Sequence, residues 1–203
     1  MKYGELKIEC LRVLDEEGVD EITLVNLVDY ENSEALADIY RRMPGAINRG
    51  MDRMAAKKII PAKVYELECS INEGNSLVFD LKLINDFRNI IRVDFLGDAY
   101  YASVDFRILG GKLLIPNKAG CKVMIVYNPT APSIKYDTDN ETEIDLPEEL
   151  CRLLAIYVAS EIAETEEPEL ALSNRNKFEA LIEEVSFNEE NEFDKTINKV
   201  YRI

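Results

Sequence analysis

The stretch IDLPEELCRLLAIYVASEI, residues 144–162, predicts an α-helix with a wide apolar face. Pro147 suits the first turn of a helix, because its missing N–H would have no intrahelical partner there. Glu148 and Glu149 follow it and favour the positive end of the helix dipole. Apolar residues then recur at helical spacing: Leu150, Leu153, Leu154, Tyr157, Val158 and Ile162. So broad an apolar face is typical of a helix in a protein core.

Toward the C-terminus, Pro168 interrupts this pattern and residues 170–185 predict a further helix. Its expected core residues are Leu172, Phe178, Leu181 and Ile182. Residues 186–203 form a polar tail that carries five spaced apolar residues, Phe193, Ile197, Val200, Tyr201 and Ile203. These would form one stripe if the tail became helical, and we expect the tail to become ordered on assembly. The alternative is that the stripe packs within the chain on the helices at 147–185.

The N-terminal part of the chain also shows helical patterns. Residues 3–16 place Leu6, Cys10, Val13 and Leu14 on one helical face, and residues 22–30 read as either a helical turn or a strand. Asn32 or Ser33 can cap the next helix. Pro44 is expected to end that helix and to begin another, whose apolar stripe is Ile47, Met51, Met54 and Ala55.

Residues 64–127 show the shorter patterns of β-structure. Strands are expected at 77–83, 90–95, 99–109 and 121–127. Gly110-Gly111 is a two-residue hairpin turn between 105–109 and 112–115. Short strands with turns this close favour an antiparallel sandwich or a small barrel over a parallel sheet.

The predicted fold class is therefore α+β. N- and C-terminal helices form a bundle, and an antiparallel β-sandwich or small barrel is inserted between them. The chain of 203 residues divides into N-terminal helices at 1–63, a β-rich subdomain at 64–136, C-terminal helices of the bundle at 137–185 and an assembly tail at 186–203. Residues 137–145 open the third part as a polar, acidic linker.

Charge is distributed unevenly along the chain, whose formal net charge is −15. Residues 137–203 hold 19 acidic and 6 basic residues, whereas residues 37–63 hold seven basic residues against two aspartates. A chain this acidic is a poor candidate for binding DNA by neutralising phosphates. The basic window is either a solvated helix face or a surface complementary to a neighbouring copy or a partner ring.

Little in the sequence points to catalysis. Histidine is absent, which excludes His-dependent nucleophilic triads and His-ligated metal sites. The four cysteines match no zinc or redox spacing, so we expect buried, reduced thiols in a cytoplasmic compartment. The acids at 137–145 look faintly like a calcium loop, but its sixth position holds Thr142 instead of glycine. We therefore expect no catalytic residue, cofactor or bound metal, and no apolar run is long enough to span a membrane.

Three stretches carry a family resemblance. YRRMPGAINR at 40–49 places a proline at the start of a long helix near an asparagine. FRILGGKLLIP at 106–116, followed by GCKVMIVYNP at 120–129, reads as a hairpin and a following strand. Residues 144–162 hold an acidic residue and a Leu-Pro pair near their start, and a helix that contains Tyr and Ala follows. A second helix with Asn174 and Phe178 comes after it. In these features, across 40–185, the chain resembles the head-to-tail adaptor (connector) proteins of tailed bacteriophages.

The resemblance implies a structural virion protein that forms a homo-oligomeric ring of about twelve copies beneath the portal protein. Tail proteins would attach to the ring, and DNA would pass through an acidic lumen without specific binding. The protein would lie at the head–tail interface of the virion after assembly in the host cytoplasm, with no enzymatic activity, cofactor or membrane contact. The expected interface residues are Arg41, Arg42, Arg49 and Arg53 in the basic window and Phe193, Ile197, Tyr201 and Ile203 in the tail.

Two other functional classes fit the composition. An acidic cytosolic protein-binding module, monomeric or dimeric, would present its acids to a basic partner. An enzyme that holds a metal through carboxylates alone would need several acids that converge in one pocket.

Overall fold

The computed structural model describes residues 1–14, 19–34, 36–68, 76–96, 101–116 and 122–200, with side chains described at all of these except 76, 101 and 186–200. The chain divides into two compact units. A helical unit comprises Met1–Ile59 and the chain from residue 131 onward, and a β unit comprises Ile60–Thr130. The fold is α+β, as the sequence predicts.

Among the described residues, the helical unit contains five α-helices: α1 (Tyr3–Leu14), α2 (Leu27–Glu31), α3 (Ala37–Ala56), α4 (Glu148–Ala163) and α5 (Pro168–Val200). The helix predicted from residues 144–162 is α4, and it packs against α1, α3 and α5. Its predicted apolar face is buried throughout, together with Cys151, Ala155 and Ala159. The sequence predicts Pro147 as the first residue of the helix. In the structure Pro147 is the N-cap residue, and α4 begins one residue later, at Glu148.

The close approach of α3 to α4 depends on Gly50. A side-chain carbon at Gly50 would lie 2.8 Å from Cδ1 of Tyr157, and it would lie closer still to Leu154. Real side-chain carbons do not tolerate such distances, so a residue without a side chain is required where the two helices meet.

The structure corrects the expectation that Pro44 separates two helices. α3 is a single helix of 20 residues, and Pro44 lies inside it. A proline in a helix interior removes one backbone hydrogen bond and costs about 3 kcal/mol. Tyr40, Met43 and Ile47, on the turns around Pro44, are all buried. Because each large apolar side chain contributes roughly 1.5–3 kcal/mol when buried, packing outweighs the lost bond.

Residues 137–145, expected as a polar linker, lie inside the helical unit. The N–H groups of Tyr3 and Gly4, at the start of α1, donate to the carbonyl oxygens of Thr142 and Asn140 at 2.8 and 2.9 Å. The N–H of Ile144 donates to the carbonyl oxygen of Met1 at 3.1 Å. The first N–H groups of a helix lack intrahelical partners, and these contacts supply some. The segment expected as a polar linker therefore holds the N-terminus of α1.

α5 is longer than the helix predicted at 170–185, because its backbone stays helical to Val200 through the region expected as a separate tail. Phe178 and Ile182 are fully buried, as predicted. Leu172 is 61% exposed, so its assignment to the core is wrong. The buried positions of α5 are Ala171, Asn174, Phe178 and Ile182, spaced three or four apart. Leu172 lies on the other side of this stripe.

The β unit contains, in its described part, the strands β1 (Lys63–Glu68), β2 (Ser76–Asp80), β3 (Phe87–Leu96), β4 (Tyr101–Ser103), β5 (Arg107–Leu109), β6 (Lys112–Pro116) and β7 (Lys122–Pro129). They form a four-stranded sheet in the order β1-β7-β3-β4 and a three-stranded sheet in the order β2-β6-β5. Every pairing is antiparallel. The predicted hairpin joins β5 to β6, and Gly110 and Gly111 have φ values of +58° and +77°. Positive φ at both central residues is the type I′ turn that fits the twist of a hairpin.

The two sheets share one hydrophobic core. Phe79, Leu113 and Ile115 come from the three-stranded sheet, and the four-stranded sheet contributes Val93, Phe95, Val123, Ile125 and Tyr127. The described strands do not close into a barrel, so the sandwich is the predicted alternative that the structure adopts. No helix within the described ranges is both long and apolar enough to cross a bilayer.

Candidate functional site

The four arginines predicted to form an interface lie along α3 and are termed the arginine face (Arg41, Arg42, Arg49 and Arg53). Arg42 reaches the end of α4, where its Nη2 donates to the carbonyl oxygen of Ile162 at 2.8 Å and to that of Glu161 at 3.3 Å. The last carbonyls of a helix have no intrahelical donor and carry the negative end of its dipole. Arg42 therefore caps the C-terminal end of α4.

Glu161 is the meeting point of three helices. Its Oε2 accepts from Arg49 Nε at 3.0 Å, and its Oε1 accepts from Arg175 Nη2 at 3.1 Å and from the Tyr157 hydroxyl at 3.0 Å. The carboxylate is only 16% exposed, so these charge-assisted bonds are less screened than those of a surface pair. Burial and the hydrogen bond to Glu161 raise the pKa of Tyr157. The cluster fastens α3 and α5 to α4.

The remaining two arginines of the arginine face differ from each other. Arg53 Nε donates to Oε1 of Glu179, on α5, at 2.6 Å. Arg41 has a 70% exposed side chain and lies 3.8 Å from Asp38. Three of the four arginines thus bind α4 or α5 of their own chain, an arrangement that was not among the interpretations of the basic window. Their contact with another chain stays a prediction.

The four tail residues that were predicted as interface residues lie outside the side chains that the structure describes. Phe193 and Ile197 belong to the part of α5 whose side chains lie outside the described residues, and Tyr201 and Ile203 lie outside the described residues altogether. The structure therefore places Arg42, Arg49 and Arg53 against the C-terminal helices, and the role of the four tail residues stays a prediction.

A second polar site, which sequence reasoning missed, surrounds Lys7 on α1. The Lys7 side chain is only 7% exposed. Its Nζ donates to Oε1 of Glu31 at 2.6 Å and to Oδ1 of Asn140 at 2.9 Å. It also lies 4.2 Å from the centre of the Tyr3 ring, a cation–π distance, and 5.9 Å from that of Tyr40. This lysine cluster joins α1, α2, α3 and the 137–145 segment.

The groups around the lysine cluster are unsuited to nucleophilic chemistry. Burial raises the pKa of the Cys10 thiol far above its ordinary value, so the thiol stays protonated. Burial likewise raises the pKa of Tyr3 and of Tyr40. The hydroxyls of both tyrosines are buried without a hydrogen-bond partner among the described residues. The lysine cluster is thus a largely buried set of ionic and hydrogen-bond contacts that joins secondary-structure elements.

One sequence signal could have revealed this cluster. Lys7 lies between Tyr3 and Cys10 at spacings of four and three, on the face of α1 that also carries the buried Leu14. A lysine in the middle of an apolar helical stripe requires a buried acceptor. Its partners are 24 and 133 residues away along the chain, which local patterns do not specify.

The described part of the helical unit carries many exposed acids. The five acids of 137–145 are exposed, as are those at and after the end of α4, Glu164, Glu166, Glu167 and Glu169. In the described part of the chain, no group of three or more Asp, Glu or Cys residues is placed to hold a metal ion. A surface of this kind repels polyanions and attracts cationic partners. Searches against protein-family models and against curated proteins find no match for this chain.

Proposed function

We propose that this protein is a structural head-to-tail adaptor of a tailed bacteriophage. It forms a homo-oligomeric ring beneath the portal protein at the head–tail interface of the virion, and the tail attaches to that ring. The observation that carries the proposal is the order of the units. Helices from both ends of the chain pack around α4, and a two-sheet antiparallel unit is inserted between α3 and α4. This is the architecture that the resemblance at 40–185 implies.

The charge of the helical unit supports a role in DNA passage. A channel through which DNA slides has to avoid retaining it, and exposed carboxylates repel phosphates over roughly one Debye length of about 8 Å. Arg42, Arg49 and Arg53 are engaged inside the chain, which reduces the cationic surface left to bind DNA. The acids of 137–145 and those near the start of α5 are exposed and available to line a lumen.

The direct experiment is reconstitution with the portal protein encoded in the same genome. We expect the two purified proteins to form a ring-shaped complex, with a copy number measured by native mass spectrometry and a ring visible by electron microscopy. The same complex should not retain double-stranded DNA at low salt. A chain that stays monomeric or dimeric and does not bind the portal would contradict the proposal.

The tail provides a separate test. Truncation after Val185 removes the apolar stripe of residues 193–203. If the stripe anchors the protein during assembly, the truncated chain keeps its melting temperature and fails to join the portal complex. A melting temperature that falls by many degrees would show that the stripe belongs to the core of the chain itself.

A second candidate is an acidic protein-binding module, and the internal pairing of the arginine face favours it. Arg49 and Arg53 are paired with carboxylates and Arg42 is bonded to the end of α4, so the helical unit presents mainly acids, which suits a basic partner protein. This candidate predicts a monomer or a dimer that captures a basic protein in a salt-sensitive way and does not bind the portal. Native mass spectrometry with and without portal protein separates the two candidates.

A further inference from the structure

The edges of the two sheets in the β unit are protected to different degrees. Strand β1, at one edge of the four-stranded sheet, carries charged residues at three of its six positions, Lys63, Glu66 and Glu68. Charges on an edge strand discourage pairing with another chain. Strand β5, at one edge of the three-stranded sheet, is exposed along its whole length, and two of its three residues are Ile108 and Leu109. Unpaired backbone groups on such an exposed edge, beside aliphatic side chains, form a template with which another chain can pair.

At the opposite edge of the same sheet, no strand among the described residues pairs with the outer side of β2. In β2, Val78 is 55% exposed although its neighbour Phe79 is buried in the core. Together, Val78, Ile108 and Leu109 are three of the ten large apolar residues that are exposed in the described chain. This short sheet therefore has an exposed apolar side chain at each of its two edges.

The register shows which backbone groups these edges offer. Leu109 and Lys112 flank the two-residue turn and form a hydrogen-bonded pair, so Ile108, opposite Leu113, directs its N–H and C=O to the free edge of β5. By the same alternation, Leu113 and Ile115 bond to β2, and Val78 directs its N–H and C=O to the free edge of β2. Each edge thus presents a donor and an acceptor beside an exposed aliphatic side chain.

The two edges are also complementary in charge. Asp80, Lys112 and Leu109 form one row across the sheet, with Asp80 at the β2 edge. Arg107 lies on the β5 edge, two residues before Leu109 and on the same face. A copy placed beside β5 in continuing register would bring its Asp80 next to Leu109 and diagonal to Arg107, within reach of a long side chain.

We infer that this three-stranded sheet is an interface between copies of the chain, in which β5 of one copy pairs with β2 of the next. β2 and β5 both run antiparallel to β6, so they run parallel to each other, and the added pair is parallel too. The contact is head-to-tail: it uses two different edges and continues from copy to copy, as a ring requires. The inference rests on the proposed ring and assigns one of its subunit contacts.

Two substitutions at Leu109 test the charge row. Leu109→Asp places a carboxylate beside Lys112 of its own chain but beside Asp80 of the next copy. Leu109→Lys places an ammonium group beside Lys112 of its own chain, which it repels, and beside Asp80 of the next copy, which it attracts. We expect the isolated Leu109→Asp chain to be at least as stable as the Leu109→Lys chain, but its self-association to be weaker by at least about tenfold. If Leu109 had only a structural role, the variant with the higher melting temperature would not be the one that associates more weakly.

A second pair of variants tests the backbone contact. Ile108→Pro removes the N–H offered to the next copy and leaves the pairs at Leu109 and Arg107 intact, and Ile108→Thr retains that N–H. Association is measured by sedimentation velocity and native mass spectrometry, with and without the portal protein, after circular dichroism has verified folding. We expect Ile108→Pro to lose ring formation and Ile108→Thr to keep it.

The outcomes separate this inference from the proposed function. Rings that form equally well with Leu109→Asp and Ile108→Pro overturn the sheet-edge contact and leave the adaptor proposal standing. Assemblies that are sensitive to these variants but do not bind the portal support the contact and contradict the adaptor. Wild-type assembly that stops at two copies indicates two-fold pairing of β5 with β5 and overturns the head-to-tail arrangement. A wild type that stays monomeric with and without the portal contradicts both.

Discussion

In the helical unit, the buried or half-buried charged side chains Lys7 and Glu161 bind partners within the chain, whereas in the β unit apolar side chains remain exposed at the edge of a sheet. Lys7 and Glu161 each bind groups from several helices. Ile108 and Val78 are instead exposed, and their backbone N–H and C=O groups point away from β6, toward the outer edges of the sheet. The interior of a helix satisfies its own backbone groups, whereas an edge strand leaves N–H and C=O groups that bond either to water or to another strand. The proposed contact between copies therefore lies in the β unit, and the polar clusters of the helical unit join elements of the same chain.

The largest expected effect tests the centre of the helical unit. Leu154→Asp places a carboxylate at a position with no solvent exposure, and an unpaired buried charge costs several kcal/mol. We expect the chain to lose cooperative unfolding in urea or to melt many degrees lower. Leu172→Asp is the matched control, because this α5 residue is exposed, and its effect should stay within about 0.5 kcal/mol. Equal melting temperatures for the two variants would show that α4 is not central to the unit.

The lysine cluster should have the next largest effect. Lys7→Met keeps the length of the side chain but leaves the Glu31 carboxylate without its cation. Breaking a buried pair costs about 3–5 kcal/mol, and we expect about 2 kcal/mol here because Glu31 keeps 22% exposure. Lys2→Met, at a lysine whose Glu141 partner is exposed, is the control and should leave the urea midpoint unchanged. Adding Glu31→Gln to Lys7→Met should recover part of the loss. No recovery would mean that packing, and not charge, sets the cost.

A smaller effect tests how closely α3 approaches α4. Gly50→Ala adds a carbon where Tyr157 and Leu154 leave no room, and such overpacking costs about 1–3 kcal/mol. Gly45→Ala is made in the same helix, where the nearest atom is the end of the flexible Arg49 side chain at 3.3 Å. It should stabilise the chain by about 0.5–1 kcal/mol through helix propensity. Opposite signs in thermal unfolding are expected, and a stabilising Gly50→Ala would contradict the close packing.

The smallest effect concerns the β unit and depends on pH. Oδ2 of Asp86 accepts from Lys63 Nζ at 2.9 Å, and Oδ1 accepts from the Tyr127 hydroxyl at 2.8 Å. Burial acts to raise the pKa of this carboxyl, but the hydrogen bonds from Lys63 and Tyr127 outweigh burial and lower the pKa below its usual 3.8. A lowered folded-state pKa stabilises the fold above the unfolded-state pKa, and this stability is lost as pH falls through the folded-state value.

Urea unfolding between about pH 2 and pH 7 measures this contribution. We expect the stability of the wild type to fall more steeply below about pH 4 than that of Asp86→Asn. Asp105→Asn makes the same change at an exposed aspartate of the β unit and should follow the wild-type curve. If the free energy of unfolding falls equally steeply at acidic pH for Asp86→Asn and for the wild type, the Asp86 carboxylate has no role in the stability of the unit.

Much of the local structure could be predicted from the sequence. The apolar spacing after Pro147 predicts α4 and its buried face, and the Gly110-Gly111 pair predicts the hairpin between β5 and β6. Both depend on residues that are close together along the chain, where periodicity and turn chemistry act directly. Leu172 shows the limit of this reasoning, because apolar character alone does not decide which side of a helix meets its neighbours.

The candidate site was only half predictable. The arginines of α3 and the acids of the C-terminal third are visible as opposite charges in the sequence. Their pairing is not, because Arg49 and Glu161 are 112 residues apart and meet only where α3 packs on α4. From the sequence, the basic window was therefore either a solvated helix face or a surface complementary to another chain, and the structure shows that three of the four arginines make contacts within this chain.

By itself the sequence determined the fold class, the main helical core and the hairpin, because these follow from the spacing of apolar residues and from the freedom of two glycines. The tertiary structure alone decided that Pro44 lies inside a continuous α3, that 137–145 holds the start of α1, and that Lys7 is buried. In the first and third of these cases a local preference is unfavourable, since a proline weakens a helix and a lysine resists burial. Contacts between residues distant in sequence outweigh that preference, and they exist only when the helices have packed together.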